Sequence, residues 1–130
     1  MAWMLYKIYQ QHIFPHLLNQ VMQTPALMDL RRELLLGVSN EVLEIGFGTG
    51  LNLPFYQLVD KLYALEPNAD IFRLAETRIQ QAAFPVEHIQ ASAETLPFAA
   101  NSLQHVVSTW TLCSIPDLEQ SLKEIYRVLQ

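Results

Sequence analysis

The sequence predicts an α/β fold built on a parallel sheet, with a helical extension in front of it. Three observations lead there. From residue 41 onward, short apolar β-prone runs alternate with helical stretches, the pattern of successive βαβ units. The runs are apolar throughout rather than alternating with polar residues, as expected of strands covered on both faces. The first run leads directly into Gly46-Phe47-Gly48-Thr49-Gly50, a turn that needs residues without side chains.

Each element has its own signal. In 1–23, Trp3, Met4, Ile8, Phe14, Leu17, Leu18, Val21 and Met22 recur at roughly helical spacing, and Pro15 is expected to divide the segment. Thr24 is the expected cap and Pro25 the first residue of a helix over 25–36, ended by Gly37. A strand is expected over 41–45, then a helix over 51–59 despite Pro54, then a second strand over 61–65. Asn68 is placed to cap a helix over 69–81. Strands over 86–90 and 104–109 follow. Asp117 opens a last helix whose stripe is Leu118, Leu122, Ile125 and Leu129. The expected organisation is a helical extension over 1–37, packed on an α/β body over 38–130.

Composition narrows the function classes. With 51% hydrophobic and 16% charged residues in 130, the chain is too apolar to be disordered and long enough for one domain with its own core. The net charge is −5 with no run of Lys or Arg, which argues against a nucleic-acid partner. The single cysteine, Cys113, rules out an intrachain disulfide and suits a cytoplasmic location. It is expected to be a small packed side chain. No signal-peptide pattern and no membrane-length apolar run is present. His12 and His16 stand four apart, with Pro15 between them and no acidic ligand nearby, so no metal site is expected.

The glycine turn follows an expected strand and precedes an expected helix, the context of a nucleotide-type loop. Glu66 closes the next strand, where an acid can accept hydrogen bonds from two ribose hydroxyls. Together they point to an adenosine-type ligand. The dinucleotide pattern spaces its glycines G-x-G-x-x-G, but here the third glycine is Gly50 and Leu51 stands where that pattern needs glycine. Glu44, just before the turn, would repel a pyrophosphate and favour a ligand bearing an ammonium and a sulfonium. A nicotinamide oxidoreductase is therefore a distant alternative.

The 42–50 segment, Val-Leu-Glu-Ile-Gly-Phe-Gly-Thr-Gly, resembles the first motif of the class I S-adenosylmethionine (SAM) dependent methyltransferases. Leu65-Glu66-Pro67 resembles their second motif, 91–98 the adenine-side loop, and 106–117 the fourth strand and the segment facing the transferred methyl. The helix ending Ile125-Tyr126-Arg127-Val128-Leu129 resembles the one before the family's Pro-Gly-Gly turn. The likeness is nearest to small bacterial methyltransferases with a helical N-terminal extension, related to thiol methyltransferases and to quinone-biosynthesis methyltransferases.

The resemblance implies a Rossmann-like sheet of order 3-2-1-4 and SAM as cofactor. It implies that Gly46, Gly48 and Gly50 pass beneath the methionine and ribose, with Phe47, Thr49 and Asn52 in the same loop. Glu44 would lie near the amino group, Glu66 with Pro67 at the ribose, Ser92, Ala93 and Glu94 at the adenine, and Thr109 near the sulfonium. It implies methyl transfer to a small-molecule or lipid-like acceptor and names no catalytic residue. Trp110 is read as a buried tryptophan. The extension is read as a lid over the substrate pocket in preference to a membrane-contacting helix. Relatives continue past 130 with further strands, so the family's last strands are expected to be absent. That would leave the fourth strand at an open edge, able to pair with a second copy. The second function reading is a SAM-binding module that lacks catalysis.

Overall fold

The structure, a computed structural model, describes residues 1–130. Four parallel strands form the sheet: β1 (Ser39–Ile45), β2 (Leu58–Leu65), β3 (Val86–Ile89) and β4 (His105–Ser108). Their order is β3-β2-β1-β4, as the motifs imply. The helices are α1 (Ala2–Ile8), α2 (Phe14–Val21), α3 (Pro25–Leu34), α4 (Ala69–Arg73), α5 (Glu76–Gln81) and α6 (Leu118–Val128).

Period-two alternation divides the apolar residues between the two faces of the sheet. Val42, Leu62, Ala64 and Val107 pack on one face with Leu35, Phe47, Tyr56 and Ala75. Leu43, Ile45 and Leu65 pack on the other with Ala93, Leu96, Leu103 and Val128. Both faces are therefore covered, which is why the strands carry no polar alternation. All four strands run the same way, so their C-terminal ends share one rim. In open parallel sheets the ligand binds at that rim.

Several elements differ from expectation, each for a local reason. Pro15 does not separate two helices. The chain instead makes a π turn, Tyr9–Ile13, and continues into α2. Proline cannot bond the carbonyl one turn back and would collide with it, and the wider turn relieves both problems. Thr24 sits at the cap position of α3 but its side chain makes no cap hydrogen bond. The helix expected over 51–59 shrinks to a single 3-10 turn, Leu53–Phe55, around Pro54. β2 takes the released residues and begins at Leu58, so that Val59 joins the core. The helix expected over 69–81 divides at Leu74 and Ala75. Asn68 does cap it, accepting from the Asp70 and Ile71 amides at 2.9 and 3.3 Å.

In α6, Asp117 caps the Gln120 amide at 3.0 Å, but the buried positions are Ser121 and Val128 while Leu118 and Leu122 are exposed. Arg127 and Glu124 hold that helix to the loop before β4. Arg127 donates to the Phe98 and Leu96 carbonyls at 2.7 and 3.0 Å. Glu124 accepts from the Leu96 amide at 2.8 Å. The Arg127 guanidinium, with that amide, holds the Glu124 carboxyl down at about 2.

The extension is not one uniform layer. No residue of α1 is buried, and Trp3 is 74% exposed. The contact with the body begins at α2, where Pro15 is buried. No helix is long and apolar enough to cross a membrane.

Candidate functional site

β1 delivers Gly46 to the rim, and β2 captures it there. The Gly46 and Phe47 amides both donate to the Leu65 carbonyl, at 3.0 and 3.1 Å. The Gly48 amide donates to Glu66 Oε2 at 3.0 Å, and the Asn68 amide to Glu66 Oε1 at 3.0 Å. The glycine turn and the strand-end carboxylate are thus in direct contact. Each carboxylate oxygen keeps acceptor capacity beyond its one hydrogen bond.

Two glycines are required here. Gly46 has φ 69°, and a Cβ on it would lie 2.0 Å from Thr111 Oγ1. Gly48 has φ 59°, and a Cβ there would meet nothing closer than 3.8 Å. The space beside Gly48 is open because the cavity begins there.

That cavity has a volume of about 350 Å³, within the usual range of ligand pockets. Of the residues expected from sequence, Gly46, Phe47, Gly48, Thr49, Glu66, Pro67, Ser92, Ala93 and Thr109 line it. Ala93 is one of these lining residues, and its amide donates to no protein group. Ser92 and Glu94 bond each other: the Ser92 hydroxyl donates to Glu94 Oε2 at 3.2 Å. Glu94 also accepts from the Asp117 amide at 2.8 Å, so it ties the loop to α6 and stays off the wall.

Glu44, Gly50 and Asn52 also lie outside the lining. Glu44 faces the core rather than the rim and is 2% exposed. Tyr56 donates to its Oε2 at 2.7 Å and Asn52 Nδ2 to its Oε1 at 2.9 Å. Burial pushes the Glu44 carboxyl up to about 7, against those two hydrogen bonds and the charge of Arg31. Burial, with the Glu44 charge beside it, also pushes the Tyr56 phenol up. Gly50 packs tightly against Leu53, Ala75 and Phe47.

The structure adds residues that sequence reading missed. Pro15, Leu18, Asn19 and Met22 of α2 and its exit wall the cavity from above. Asn19 Oδ1 accepts from the Thr49 hydroxyl at 2.6 Å, joining the extension to the glycine turn. Arg31 of α3 is 5% exposed and also lines the cavity. Its Nη1 donates to Asn52 Oδ1 at 2.7 Å and to Thr109 Oγ1 at 3.3 Å. Burial lowers its pKa, opposed by the charge of Glu44. A signal for Arg31 exists in the sequence: it stands one helical turn from Leu27 and from the buried Leu35, a cation inside an apolar stripe.

Two expectations about the segment after β4 are corrected. Trp110 is 48% exposed, not buried. It adopts φ 54°, lies 4.7 Å from the Arg31 guanidinium carbon, and walls the cavity. Cys113 is exposed and unpacked. Arg31 and Glu66 are the only titratable side chains on the cavity wall.

Comparison with known proteins agrees with this geometry. A family model described as a methyltransferase domain matches residues 43–130. The ubiquinone/menaquinone biosynthesis C-methyltransferase UbiE of Blochmanniella floridana is 35% identical over 96 residues, covering 69% of this chain and 38% of that protein. The thiol S-methyltransferase TMT1B of Rattus norvegicus is 36% identical over 102 residues, covering 72% and 41%. The chain thus spans well under half the length of both relatives. A SAM-dependent methyltransferase structure from Aquifex aeolicus superposes with a TM-score of 0.70 at 20% identity, over 89% of this chain and 67% of that one. With the order β3-β2-β1-β4, the glycine turn bonded to Glu66, and the domain match over the same residues, the chain belongs to the class I SAM-dependent methyltransferase family.

Proposed function

We propose that this chain binds SAM at the strand rim and transfers its methyl group to a small-molecule or lipid-like acceptor. The observation that carries the reading is the contact between Gly48 and Glu66 at 3.0 Å, which brings a side-chain-free turn and a strand-end carboxylate to one cavity wall. Glu66 accepts from the ribose hydroxyls. The unpaired Ala93 amide donates to the adenine, with Pro67 and Ser92 beside it. Gly46, Phe47, Gly48 and Thr49 pass beneath the ribose and the methionine, and Thr109 closes the far side. Glu44, Gly50, Asn52 and Glu94 shape these elements from behind.

Bound SAM would supply a methyl on a sulfonium, a leaving group already activated. The protein's part is to align the acceptor and exclude water. The one carboxylate on the cavity wall, Glu66, is taken up at the ribose in this reading, which leaves no carboxylate or imidazole of that wall beside the transferred methyl. This supports an acceptor that ionises without help, and a thiol meets that requirement. Thr109 and Trp110 also wall a second, more open hollow with Leu30, Glu33, Leu34 and Ser108. Its apolar part, Leu30, Leu34 and Trp110, supports an acceptor with an apolar portion. The helices of 1–37 act as the lid, because α2 roofs the cavity while α3 supplies Arg31. β4 sits at the open edge of the sheet, and pairing there with a second copy is part of the same proposal; a monomer in sedimentation at high concentration would reject that part.

Calorimetric titration with S-adenosylhomocysteine and with NADH tests the assignment. Saturable binding of the first and none of the second is expected, and the reverse would remove it. Incubation with SAM and small thiols should then release S-adenosylhomocysteine. Binding without release on any acceptor would instead support the non-catalytic SAM-binding module.

A further inference from the structure

The main chain of Glu66 is held by a different strand from its carboxylate. Its amide donates to the Ile89 carbonyl at 3.2 Å, beyond the last paired residues of β2 and β3, Leu65 and Ile89. Its carbonyl accepts from no backbone amide, because β3 ends at Ile89 and the ladder stops there. Glu66 is only 7% exposed, and a carbonyl shielded from water needs a donor. Side chains replace the missing rung. His88 Nε2 lies 2.9 Å from the Glu66 carbonyl oxygen, which can only accept, so Nε2 carries the hydrogen. Gln90 donates to the next carbonyl, that of Pro67, at 3.4 Å.

The imidazole is itself clamped. It stacks on Phe72 of α4, with ring centroids 3.7 Å apart and planes 4° from parallel. Phe72 packs in turn on Phe47, with centroids 5.6 Å apart, and Phe47 lines the cavity. A ring held flat on a packed neighbour aims its N–H in one direction. Backbone rotation at Glu66 would swing its side chain off the rim. The Ile89 and His88 bonds, one on each side of the Glu66 Cα, oppose that rotation.

We infer that His88 is a positioning residue for ribose recognition: its Nε2–H holds the Glu66 carbonyl where β3 no longer reaches, and so sets the direction of the Glu66 carboxylate toward the ribose hydroxyls. The inference rests on the cofactor assignment above. His88 does not line the cavity, so its effect on the ligand passes through Glu66. That makes it separable from a side chain that only supports the fold.

Calorimetry with S-adenosylhomocysteine on His88 variants tests it. His88→Phe keeps a flat ring against Phe72 and removes the donor. It should weaken the ligand about 3- to 10-fold, the range for one hydrogen bond. His88→Gln carries its amide nitrogen as many bonds from the backbone as Nε2, and should bind within about 2-fold of the unsubstituted chain. His88→Asn carries the same amide one bond short and should match His88→Phe. The comparison of His88→Gln with His88→Asn carries the test alone if His88→Phe does not fold. In a Glu66→Ala background none of these variants should weaken the ligand further. Equal weakening with and without Glu66 would overturn the inference and make His88 a support of the fold only. So would His88→Gln binding as weakly as His88→Asn, or unchanged affinity in His88→Phe and His88→Asn. Each of those results leaves the cofactor assignment intact. No binding by the unsubstituted chain would remove that assignment and this inference with it.

Discussion

The two strand-end carboxylates, Glu44 and Glu66, have nearly the same burial, 2% and 7% exposed, and opposite environments. Glu66 points along the rim, accepts two backbone amides and keeps its remaining acceptor capacity for the cavity. Glu44 points sideways into the sheet-face core between Ala64 and Val107, where both oxygens are taken by side chains. Glu44 lies inside β1, opposite Ala64, whereas Glu66 is the first residue past the end of β2, two positions further along the register, so one acid stays within the sheet-face core and the other reaches the rim. Burial alone does not mark a binding residue; the direction of the free lone pairs does.

Perturbing each side separately sharpens this contrast. The largest effect is expected at the turn both acids support. Gly46→Ala places a Cβ 2.0 Å from Thr111 Oγ1 at φ 69°. Strain and overpacking together should destabilise the fold by about 4 kcal/mol, measured by urea unfolding. Adding Thr111→Ser removes a methyl from the clash and should recover part of that loss, leaving the backbone strain.

The next effect is the pH response of Glu44. Its folded carboxyl is raised from 4.5 to about 7, so the unfolded chain gives up this proton first as pH rises. Its stabilising contribution is complete below about 4.5 and is lost as pH rises through about 7, a change of about 3 kcal/mol. Glu44→Gln should flatten that part of the profile in unfolding experiments at pH 5 and pH 8. Glu66→Ala should leave it in place and weaken S-adenosylhomocysteine binding by about 2 kcal/mol, read by calorimetry. An unchanged dissociation constant would take Glu66 out of the site. The smallest effect belongs to the extension. Asn19→Ala removes one hydrogen bond to Thr49 and should weaken the same ligand by about 1 kcal/mol.

The β2 side of the cavity was legible in the sequence because it is local. A strand, a glycine turn and an acid closing the next strand fall within residues 41–66, and their spacing carries the geometry. The caps at Asn68 and Asp117 were legible for the same reason, while the strand order came only through the resemblance to the family. The Arg31 side was not, because it is assembled from residues 19, 31, 52, 109 and 110 by the fold itself. Trp110 and Cys113 were misread because apolar side chains near a motif were assumed to be core, while the chain there turns outward through a left-handed residue. Leu118 and Leu122 misled in the same manner: their helical spacing was real, but Ser121 and Val128 are the buried positions. Periodicity shows that a helix has an apolar stripe, not which stripe the protein covers.

A crystal soaked with S-adenosylhomocysteine tests the central claim most directly. The ribose hydroxyls are expected within hydrogen-bond distance of the Glu66 carboxylate, with the ligand lying over Gly46 and Gly48. A bound ligand whose ribose makes no contact with Glu66, or one seated away from the strand rim, would contradict the account.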